Sequence, residues 1–410
     1  MIEVLGNRTY RHLLSAQAIA LVGTGLCTVA LGLLAFDIAG AKAGAVLGTA
    51  LAIKMIANVT VAPLATAVAE RLPRRTLLVT MDLVRAGVAL FLPFVTEIWQ
   101  IYVLIFVLQA ASAVFTPTFQ ATIPEVLPDE NDYTQALSLS RLAYDMESLL
   151  SPLLAAALLT VVSFHELFAG TAIGFIASAT LVISTSLPAA RTAPQSHRTF
   201  EGAVRGVRIY LATPRLRGLL AVNLAVAAAG AMVIVNTVVL VQSRFGLAQR
   251  ATALALAAFG AGSMLAALVL PRLLERLSDR AVMLGGACVL PAGLIAGAAL
   301  PGFAWMLLLW VVLGLGYSLA QTPAGRLLRR SASPEDRPVL FAAQFAFSHG
   351  CWLITYPLAG WVGARIGQGF TFVLLAALAA VACIAAEALW PRNDADAAGK
   401  PESHDAHWAP

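Results

Sequence analysis

Three ionisable residues lie within one apolar stretch of the chain, and their types and spacing suggest transport chemistry. Residues 139–159 are apolar enough to cross a membrane, yet they include Arg141, Asp145 and Glu147. A charge in the middle of a bilayer costs about 3 kcal/mol or more unless it has a partner or faces a water-filled cavity. Arg141 and Asp145 share one helix face, so a structural ion pair is one interpretation of those two. Glu147 lies about 200° away around the helix. We therefore predict that this stretch lines a transport path.

His349 and Cys351 form a second candidate set, near the middle of the eleventh apolar stretch. Together with a carboxylate such as Glu147, imidazole and thiol would suit a borderline divalent metal such as zinc, nickel or cobalt. Histidine also titrates near neutral pH, which suits proton exchange. The two residues are about 200° apart on a helix, so they share a cavity only if Gly350 or Pro357 distorts it. The alternative is a core histidine and a packing cysteine.

Lys54 is a cation in the middle of the second apolar stretch. A buried lysine loses its proton or finds a carboxylate, and both Asp37 and the carboxylates of residues 139–159 are candidate partners. In the third stretch, Asp82 and Arg85 lie three residues apart on one helix face, about two turns from its end. They indicate either a pair that belongs to a gate or a purely structural ion pair.

The composition indicates a membrane protein with many spans. Of 410 residues, 59% are hydrophobic and only 12% are charged, against about 25% charged in soluble domains. No segment between spans is long enough for a separate soluble domain. The net charge of +5 does not indicate nucleic-acid binding, because the arginines lie in short loops. The four cysteines fall within apolar stretches, so disulfides are not expected. The N-terminus lacks the features of a cleaved signal peptide, so the first span is expected to stay as an anchor.

A span needs about 20 mostly apolar residues, and the chain offers twelve such stretches. We predict an all-α membrane protein with an N-terminal six-helix half (1–187), a linker with an amphipathic surface helix (188–215), a C-terminal six-helix half (216–390) and a disordered tail (391–410). The twelve spans are predicted at about 13–36, 44–69, 76–95, 98–122, 135–162, 165–187, 216–241, 250–271, 281–300, 302–322, 338–362 and 369–390.

The distribution of lysine and arginine predicts the orientation. With an even number of spans, both termini lie on one side, and twenty of the cations lie on that side. The opposite side has four, namely Lys42, Arg244, Arg250 and Arg365. Both termini are therefore expected to face the cytoplasm.

The two halves repeat one another at an offset of about 205 residues. The charged turn that begins at Glu70 returns at Glu275, Thr116-Pro117 returns as Thr322-Pro323, and Pro152 returns as Pro357. Two similar six-span halves in parallel orientation place a substrate site near mid-membrane, between them.

Twelve spans in two halves, a long basic central loop and a charged turn after span 2 resemble the major facilitator superfamily, over about residues 8–390. The family pattern in this turn is a Gly, three residues, Asp-Arg, one residue, Gly and two basic residues. Here both glycines are replaced, by Thr66 and Pro73, while the charges match. In the family the turn acts as a cytoplasmic latch, so the resemblance implies a gate containing Glu70, Arg71 and Arg75, to which we add Asp82 and Arg85. The alternative is ordinary anchoring by positive residues.

Three further segments resemble the proton-coupled exporters of that family. Residues 147–156 are similar to the glycine-rich signature of its antiporters, with Glu147 in place of the first glycine. Asp82 and Arg85, together with the segment FTPTFQATIPEVLP, resemble the siderophore and macrolide exporters. The eleventh span, together with a tail that contains His404 and His407, is similar to the nickel- and cobalt-resistance group.

These observations predict a monomeric, proton-coupled exporter of the bacterial inner membrane, without a cofactor or a nucleic-acid partner. No phosphate-binding loop for ATP occurs, and no paired nucleophile and base indicates an enzyme. The favoured substrate is nickel or cobalt, and the alternative is a drug, siderophore or macrolide-type molecule. A non-transporting sensor or assembly factor is a third hypothesis. The predicted pathway residues are Lys54, Arg141, Asp145, Glu147, His349 and Cys351, and the predicted metal ligands are His349, Cys351, Glu147, His404 and His407.

Overall fold

The structure is a computed structural model that describes residues 3–69, 73–185, 187, 198–333 and 336–392. This part of the chain is helical, without strands. Its fourteen α-helices are α1 (Arg8–Ala39), α2 (Ala43–Ala69), α3 (Arg74–Phe91), α4 (Ile98–Val126), α5 (Glu130–Leu158), α6 (Phe164–Ile183), α7 (Arg198–Ala212), α8 (Pro214–Val238), α9 (Gln249–Arg276), α10 (Asp279–Ala298), α11 (Phe303–Gln321), α12 (Ala324–Arg330), α13 (Arg337–Arg365) and α14 (Gln368–Leu389).

Twelve of these helices, all except α7 and α12, have 18 residues or more. Ten segments of the described chain are long and apolar enough to cross a membrane, and the first of them, Arg8–Asn58, covers α1 and part of α2. With α5, which contains the three ionisable residues, twelve spans result. Helices suit this setting because each satisfies its backbone hydrogen bonds internally. The prediction of an all-α protein with twelve transmembrane helices is confirmed.

Caps and glycines determine where the helices begin and end. Ser163 and Glu166 form a capping box at the start of α6, and the Ser278 hydroxyl accepts a hydrogen bond from the Ala281 N–H at the start of α10. Gly40 and Gly367 have φ angles of 53° and 115°, a conformation that only glycine adopts without strain. These residues produce the short reversals between neighbouring spans.

The two halves use the same packing scheme. In the N-terminal half, α1 packs against α5 and α6, α2 against α4, and α3 against α4 and α6. In the C-terminal half, α8 packs against α13 and α14, α9 against α11, and α10 against α11 and α14. The halves meet where α2 contacts α13 and where α5 contacts α9. These two contacts are equivalent under the repeat, so the bundle has a pseudo-twofold axis.

Salt bridges at one end of the bundle follow the same repeat. We call the end where α1 begins the proximal end and the opposite end the distal end. Proximally, Arg74 pairs with Glu125 at 2.8 Å, and Asp279 pairs with Arg330 at 2.9 Å. Each residue of the second pair lies 205 positions after its counterpart, and the charges are exchanged. The repeat has therefore kept an ion pair at this place while inverting its polarity.

The amphipathic helix of the linker, α7, packs on α13. A methyl group on Gly206 would overlap the backbone carbonyl of Val339, so the two helices touch at the backbone. The Tyr210 hydroxyl donates a hydrogen bond of 2.6 Å to the Gln344 side-chain oxygen, and its ring contacts Phe347 at 4.9 Å between centroids. The pKa of the Tyr210 phenol is raised, chiefly by burial. The linker helix is thus attached to the C-terminal half.

Candidate functional site

A polar cleft lies at mid-depth in the N-terminal half, between α1, α2 and α4. The cleft is small and partly open to solvent. The cleft combines apolar walls with one cation, one amide, one thiol and two hydroxyls. Its lining residues are Thr24, Cys27, Thr28, Leu31, Leu51, Lys54, Ile105, Leu108 and Gln109.

Two lining side chains have unused hydrogen-bonding capacity. Within the described chain, neither the Lys54 ammonium nor the Gln109 amide makes a hydrogen bond or ion pair. The hydroxyls of Thr24 and Thr28 are used differently, because each donates at 3.0 Å to the carbonyl four residues earlier in α1. Lys54 and Gln109 are therefore available to a molecule in the cleft.

The structure brings Lys54 together with two other predicted pathway residues. Lys54 is close enough to Glu147 and to His349 for electrostatic interaction, and to Cys27 in the cleft wall. Glu147 belongs to α5 and His349 to α13, so both halves contribute. Lys54 and Glu147 do not form a direct ion pair. Asp37, the other candidate partner of Lys54, is exposed near the distal end of α1.

Glu147 lies where α5 is in close contact with Gly25 of α1. One carboxylate oxygen is 3.0 Å from the position that a methyl group on Gly25 would take, and Ser151 is closer still. In the C-terminal half, the residues 205 positions later are Gly230 and Trp352, and the Trp352 ring packs against Gly230 in the same way. The space that an indole ring fills in one half therefore holds a carboxylate in the other.

His349 and Cys351 point to different neighbours. The Nδ1 atom of His349 is 2.8 Å from the Phe345 carbonyl, and its ring stacks on Phe345 at 3.8 Å between centroids. Cys351 is buried and lies near Tyr210 of α7. Because α13 continues as a helix through Gly350 and Pro357, the separation of about 200° is kept.

The described part of the predicted metal site contains no complete ligand group, and His404 and His407 lie outside the described residues. Among the described residues, no group of three or more His, Cys, Asp and Glu side chains could hold a metal ion. His349 and Glu147 both interact electrostatically with Lys54, whereas Cys351 interacts electrostatically with Tyr210 of α7. The positive charge of Lys54 also opposes a divalent cation there.

Several predicted residues lie outside what the structure describes. Arg141 and Asp145 belong to α5, but their side chains are outside the described part. Glu70 and Arg71 of the predicted gate, and the tail residues His404 and His407, lie outside the described residues. Arg75 is described, and its guanidinium donates to the Ile183 carbonyl at the end of α6.

Asp82 and Arg85 form an ion pair inside the N-terminal half. Asp82 is fully buried, pairs with Arg85 and accepts a hydrogen bond of 2.7 Å from the Ser178 hydroxyl of α6. The Arg85 guanidinium lies between the rings of Phe115 and Phe175, at 4.2 and 4.5 Å. These contacts link α3, α4 and α6 within one half. They support the structural interpretation of the pair rather than the gate.

The halves are closely packed at the distal end. A methyl group on Gly360 of α13 would overlap the carbonyl oxygen of Gly44 in α2, and the Trp361 indole N–H donates to the Thr49 hydroxyl at 3.0 Å. At the α5–α9 contact, Arg250 donates hydrogen bonds of 2.9 and 2.8 Å to the carbonyls of Leu159 and Thr160. These contacts close the space between the halves at this end.

The sequence predicts neither the residues of this closure nor the position of Gln109 in the cleft wall. A signal was present for the glycines, because Gly44 and Gly48 form a Gly-x-x-x-Gly pattern typical of close helix crossings. For Arg250 the sequence indicates only a cation on the side opposite the termini. Gln109 has no local motif, since its position in a cleft depends on the neighbouring helices.

The comparisons agree with this architecture. The sequence pattern of the Major Facilitator Superfamily matches residues 13–248 and 219–410. An uncharacterised MFS-type transporter of Bacillus subtilis (strain 168), YfiS, is 28% identical over 120 residues. That alignment spans 29% of this chain and only 28% of the relative.

Solved structures resemble the whole bundle at low sequence identity. The nucleoside transporter NupG matches with a TM-score of 0.64 and 16% identity, over 94% of this chain and 100% of that one. The D-xylose–proton symporter matches with a TM-score of 0.69 and 12% identity, over 93% and 98%. The peptide transporter POT matches with a TM-score of 0.70 and 12% identity, over 93% of this chain and 94% of that one. At such identities the likeness concerns the fold.

Proposed function

The chain belongs to the Major Facilitator Superfamily and is a membrane transporter, and from this premise we propose that it is a proton-coupled exporter that works by alternating access. The observation that carries the proposal is the grouping of Lys54, Glu147 and His349 from α2, α5 and α13. Rocking of two repeated halves about a site between them exposes that site to each side of the membrane in turn.

Glu147 is the proposed proton-coupling residue. A carboxylate at mid-membrane is costly unless it is neutralised, and three partners are able to neutralise it: a proton, Lys54, or a positive group of a substrate. Exchange of a proton for a substrate requires that binding of one weakens binding of the other. Competition between them for one carboxylate fulfils this requirement, because the proton and the substrate then occupy Glu147 alternately.

An organic substrate suits the described residues better than a metal ion. The cleft beside Lys54 has apolar walls with a few polar groups, the usual composition of small-molecule sites, whereas no metal-ligand group occurs in the described part. Export of nickel or cobalt, the bacterial inner membrane and the direction of transport remain predictions made from resemblance. The cytoplasmic position of both termini remains a prediction made from the distribution of lysine and arginine.

The test uses everted membrane vesicles from a bacterium that lacks its own exporters. A pH-sensitive dye reports proton movement while nickel, cobalt, dyes and small amphiphiles are added one at a time. We expect at least one organic compound to dissipate the pH gradient in vesicles with the natural chain, and expect Glu147→Gln to abolish the response. Glu275→Gln, at an exposed carboxylate of α9, is the matched control.

Two results would contradict the proposal. A Glu147→Gln chain that responds like the natural one, with the same pH dependence, would remove the coupling role of Glu147. A response to nickel and cobalt that is lost in His349→Ala, with none to organic compounds, would restore the metal substrate.

A further inference from the structure

The following inference rests on the proposed function. The charges near the cleft limit the class of substrate that the site can bind. We propose that the site recognises a small amphiphilic zwitterion, whose anionic group binds Lys54 and Gln109 and whose ammonium group binds Glu147. The apolar part of the molecule packs against the leucine and isoleucine side chains of the cleft.

The first argument is the separation of the two charges. Lys54 and Glu147 interact electrostatically but form no direct ion pair, and within the described chain neither has another hydrogen-bonded partner. Charges in an apolar environment are stable only when they are paired and hydrogen-bonded. A ligand that carries both signs completes both pairs at once, whereas a ligand with one charge leaves one residue of the protein unpaired.

The second argument comes from the other half of the molecule. The positions 205 residues after Lys54 and Gln109 hold Phe259 and Gly314, and there a methyl group on Gly314 would overlap the Phe259 backbone carbonyl. The Phe259 ring packs on Tyr317 at 5.4 Å between centroids. Where a phenyl ring and a glycine occupy these positions, α9 and α11 are therefore in close backbone contact. Lys54 and Gln109 are not needed for the packing of a half, which indicates a ligand-binding role.

The third argument concerns the surroundings. Glu147, His349 and Cys27 interact electrostatically with Lys54 in the described structure. Lys54 repels metal ions and singly charged cations, and Glu147 repels simple anions. A zwitterion avoids both repulsions. Its ammonium group also competes with a proton for Glu147, which gives the exchange of proton and substrate that the proposed export requires.

The experiment compares three indole compounds of similar size. Tryptophan carries both an anionic and a cationic group, indole-3-propionate carries only the anionic group, and tryptamine carries only the cationic group. Binding to the purified full chain in lipid nanodiscs is measured by isothermal titration calorimetry and by thermal unfolding. We expect tryptophan to bind about tenfold more tightly than either single-charge compound, since each charge-assisted contact contributes on the order of a tenfold factor.

The variants divide this preference into its two parts. Lys54→Met should bind tryptophan and tryptamine equally, while Glu147→Gln should bind tryptophan and indole-3-propionate equally. Lys54→Arg should keep the preference for tryptophan. Such a result would show that the preference lost in Lys54→Met is not lost through misfolding. Lys42→Met, at an exposed lysine of the distal end, is the surface control.

The proposal is overturned if a single-charge compound binds as tightly as tryptophan to the natural chain, or if none of the three binds. Its failure is distinguishable from failure of the proposed function. Proton movement that depends on Glu147 with a substrate of another charge type would leave proton-coupled export intact, whereas its absence with every compound would contradict that function itself.

Discussion

Gly360 of α13 lies directly against the backbone carbonyl of Gly44 in α2, and no side chain fits between them. The contact joins the two halves at the distal end, so it exists only while that end is closed. Alternating access requires that it separate and reform.

Gly360→Ala should therefore favour the conformation in which the distal end is open. The added methyl group overlaps the backbone of α2, and overpacking of this kind costs about 1–3 kcal/mol. The measurement is the distance between spin labels at Lys42→Cys and Arg365→Cys, both exposed at the distal end, in a chain without its natural cysteines. Gly87→Ala, whose methyl group meets no atom within 4 Å, is the control. Equal distance distributions in both variants would contradict this account.

Arg250→Gln should also favour distal opening, by a smaller amount. The guanidinium donates two hydrogen bonds to carbonyls at the end of α5, in the opposite half. Because Arg250 is exposed, we expect about 1 kcal/mol, or roughly a fivefold change in the populations. Arg244→Gln is a matched control, because Arg244 donates at 2.9 Å to the Leu300 carbonyl of its own half. A shift of the same size in both variants would show that the contact between halves is not the cause.

The buried pair of Asp82 and Arg85 should be replaceable as a unit. At the positions 205 residues later, the C-terminal half has Ala287 and Leu290, both fully buried, and the Cys383 thiol donates to the Ala287 carbonyl where Ser178 donates to Asp82. Asp82→Ala alone leaves a buried guanidinium without its carboxylate, which costs about 3–5 kcal/mol.

The double variant Asp82→Ala with Arg85→Leu should recover most of that loss, since a buried ion pair can be replaced by apolar residues without a large cost. Thermal unfolding of the single and the double variant in the same lipid composition measures the loss and its recovery. If the double variant is as stable as the natural chain but does not transport, the pair has a role in transport rather than in folding. A double variant less stable than Asp82→Ala would contradict the prediction.

Tyr210 should make its hydrogen bond throughout the neutral pH range. Burial raises the pKa of Tyr210 above the usual value of about 10, so its phenol stays protonated and donates to Gln344. The folded state holds the phenol proton more tightly than the unfolded state does. The contribution of Tyr210 to the free energy of unfolding is therefore constant at lower pH and falls above about pH 10.

Tyr210→Phe should reduce the free energy of unfolding by about 1–3 kcal/mol, because it leaves the buried Gln344 oxygen without its donor. The loss should be the same at about pH 6 and about pH 8, because both lie about two units or more below the usual pKa of tyrosine. Thermal unfolding at both pH values measures it. A loss that differs between them would show that Tyr210 titrates in this range. Tyr102→Phe, at a partly buried tyrosine of α4, controls for removal of a hydroxyl elsewhere.

The sequence predicted the twelve helices well, because each needs a long apolar stretch that is visible without tertiary information. The repeat was also visible, since Glu70 and Glu275, or Pro152 and Pro357, recur at one offset. What the repeat meant in space was not visible. The exchanged charges of Arg74–Glu125 and Asp279–Arg330 emerged only when the ends of neighbouring helices were brought together.

The candidate site was predicted in part. Lys54 and Glu147 are conspicuous in sequence because charges are rare in apolar spans, and the structure brings them near one another and near His349. The role of Cys351 as a ligand beside His349 stays a prediction, and the continuous helix α13 keeps the two residues about 200° apart. Gln109 was not recognised, because an amide in a span becomes informative only when its neighbours leave a cleft.

The sequence by itself therefore determined the number of spans, the twofold repeat and the charges that the membrane must tolerate, since these depend on composition and spacing along one chain. The tertiary structure decided that Lys54 and Gln109 line one cleft, that Asp82 and Arg85 are enclosed within one half, and that Gly44 and Gly360 join the halves. The physical reason is that a helix fixes only the direction of each side chain, while its partner is fixed by the packing of helices that are distant in sequence.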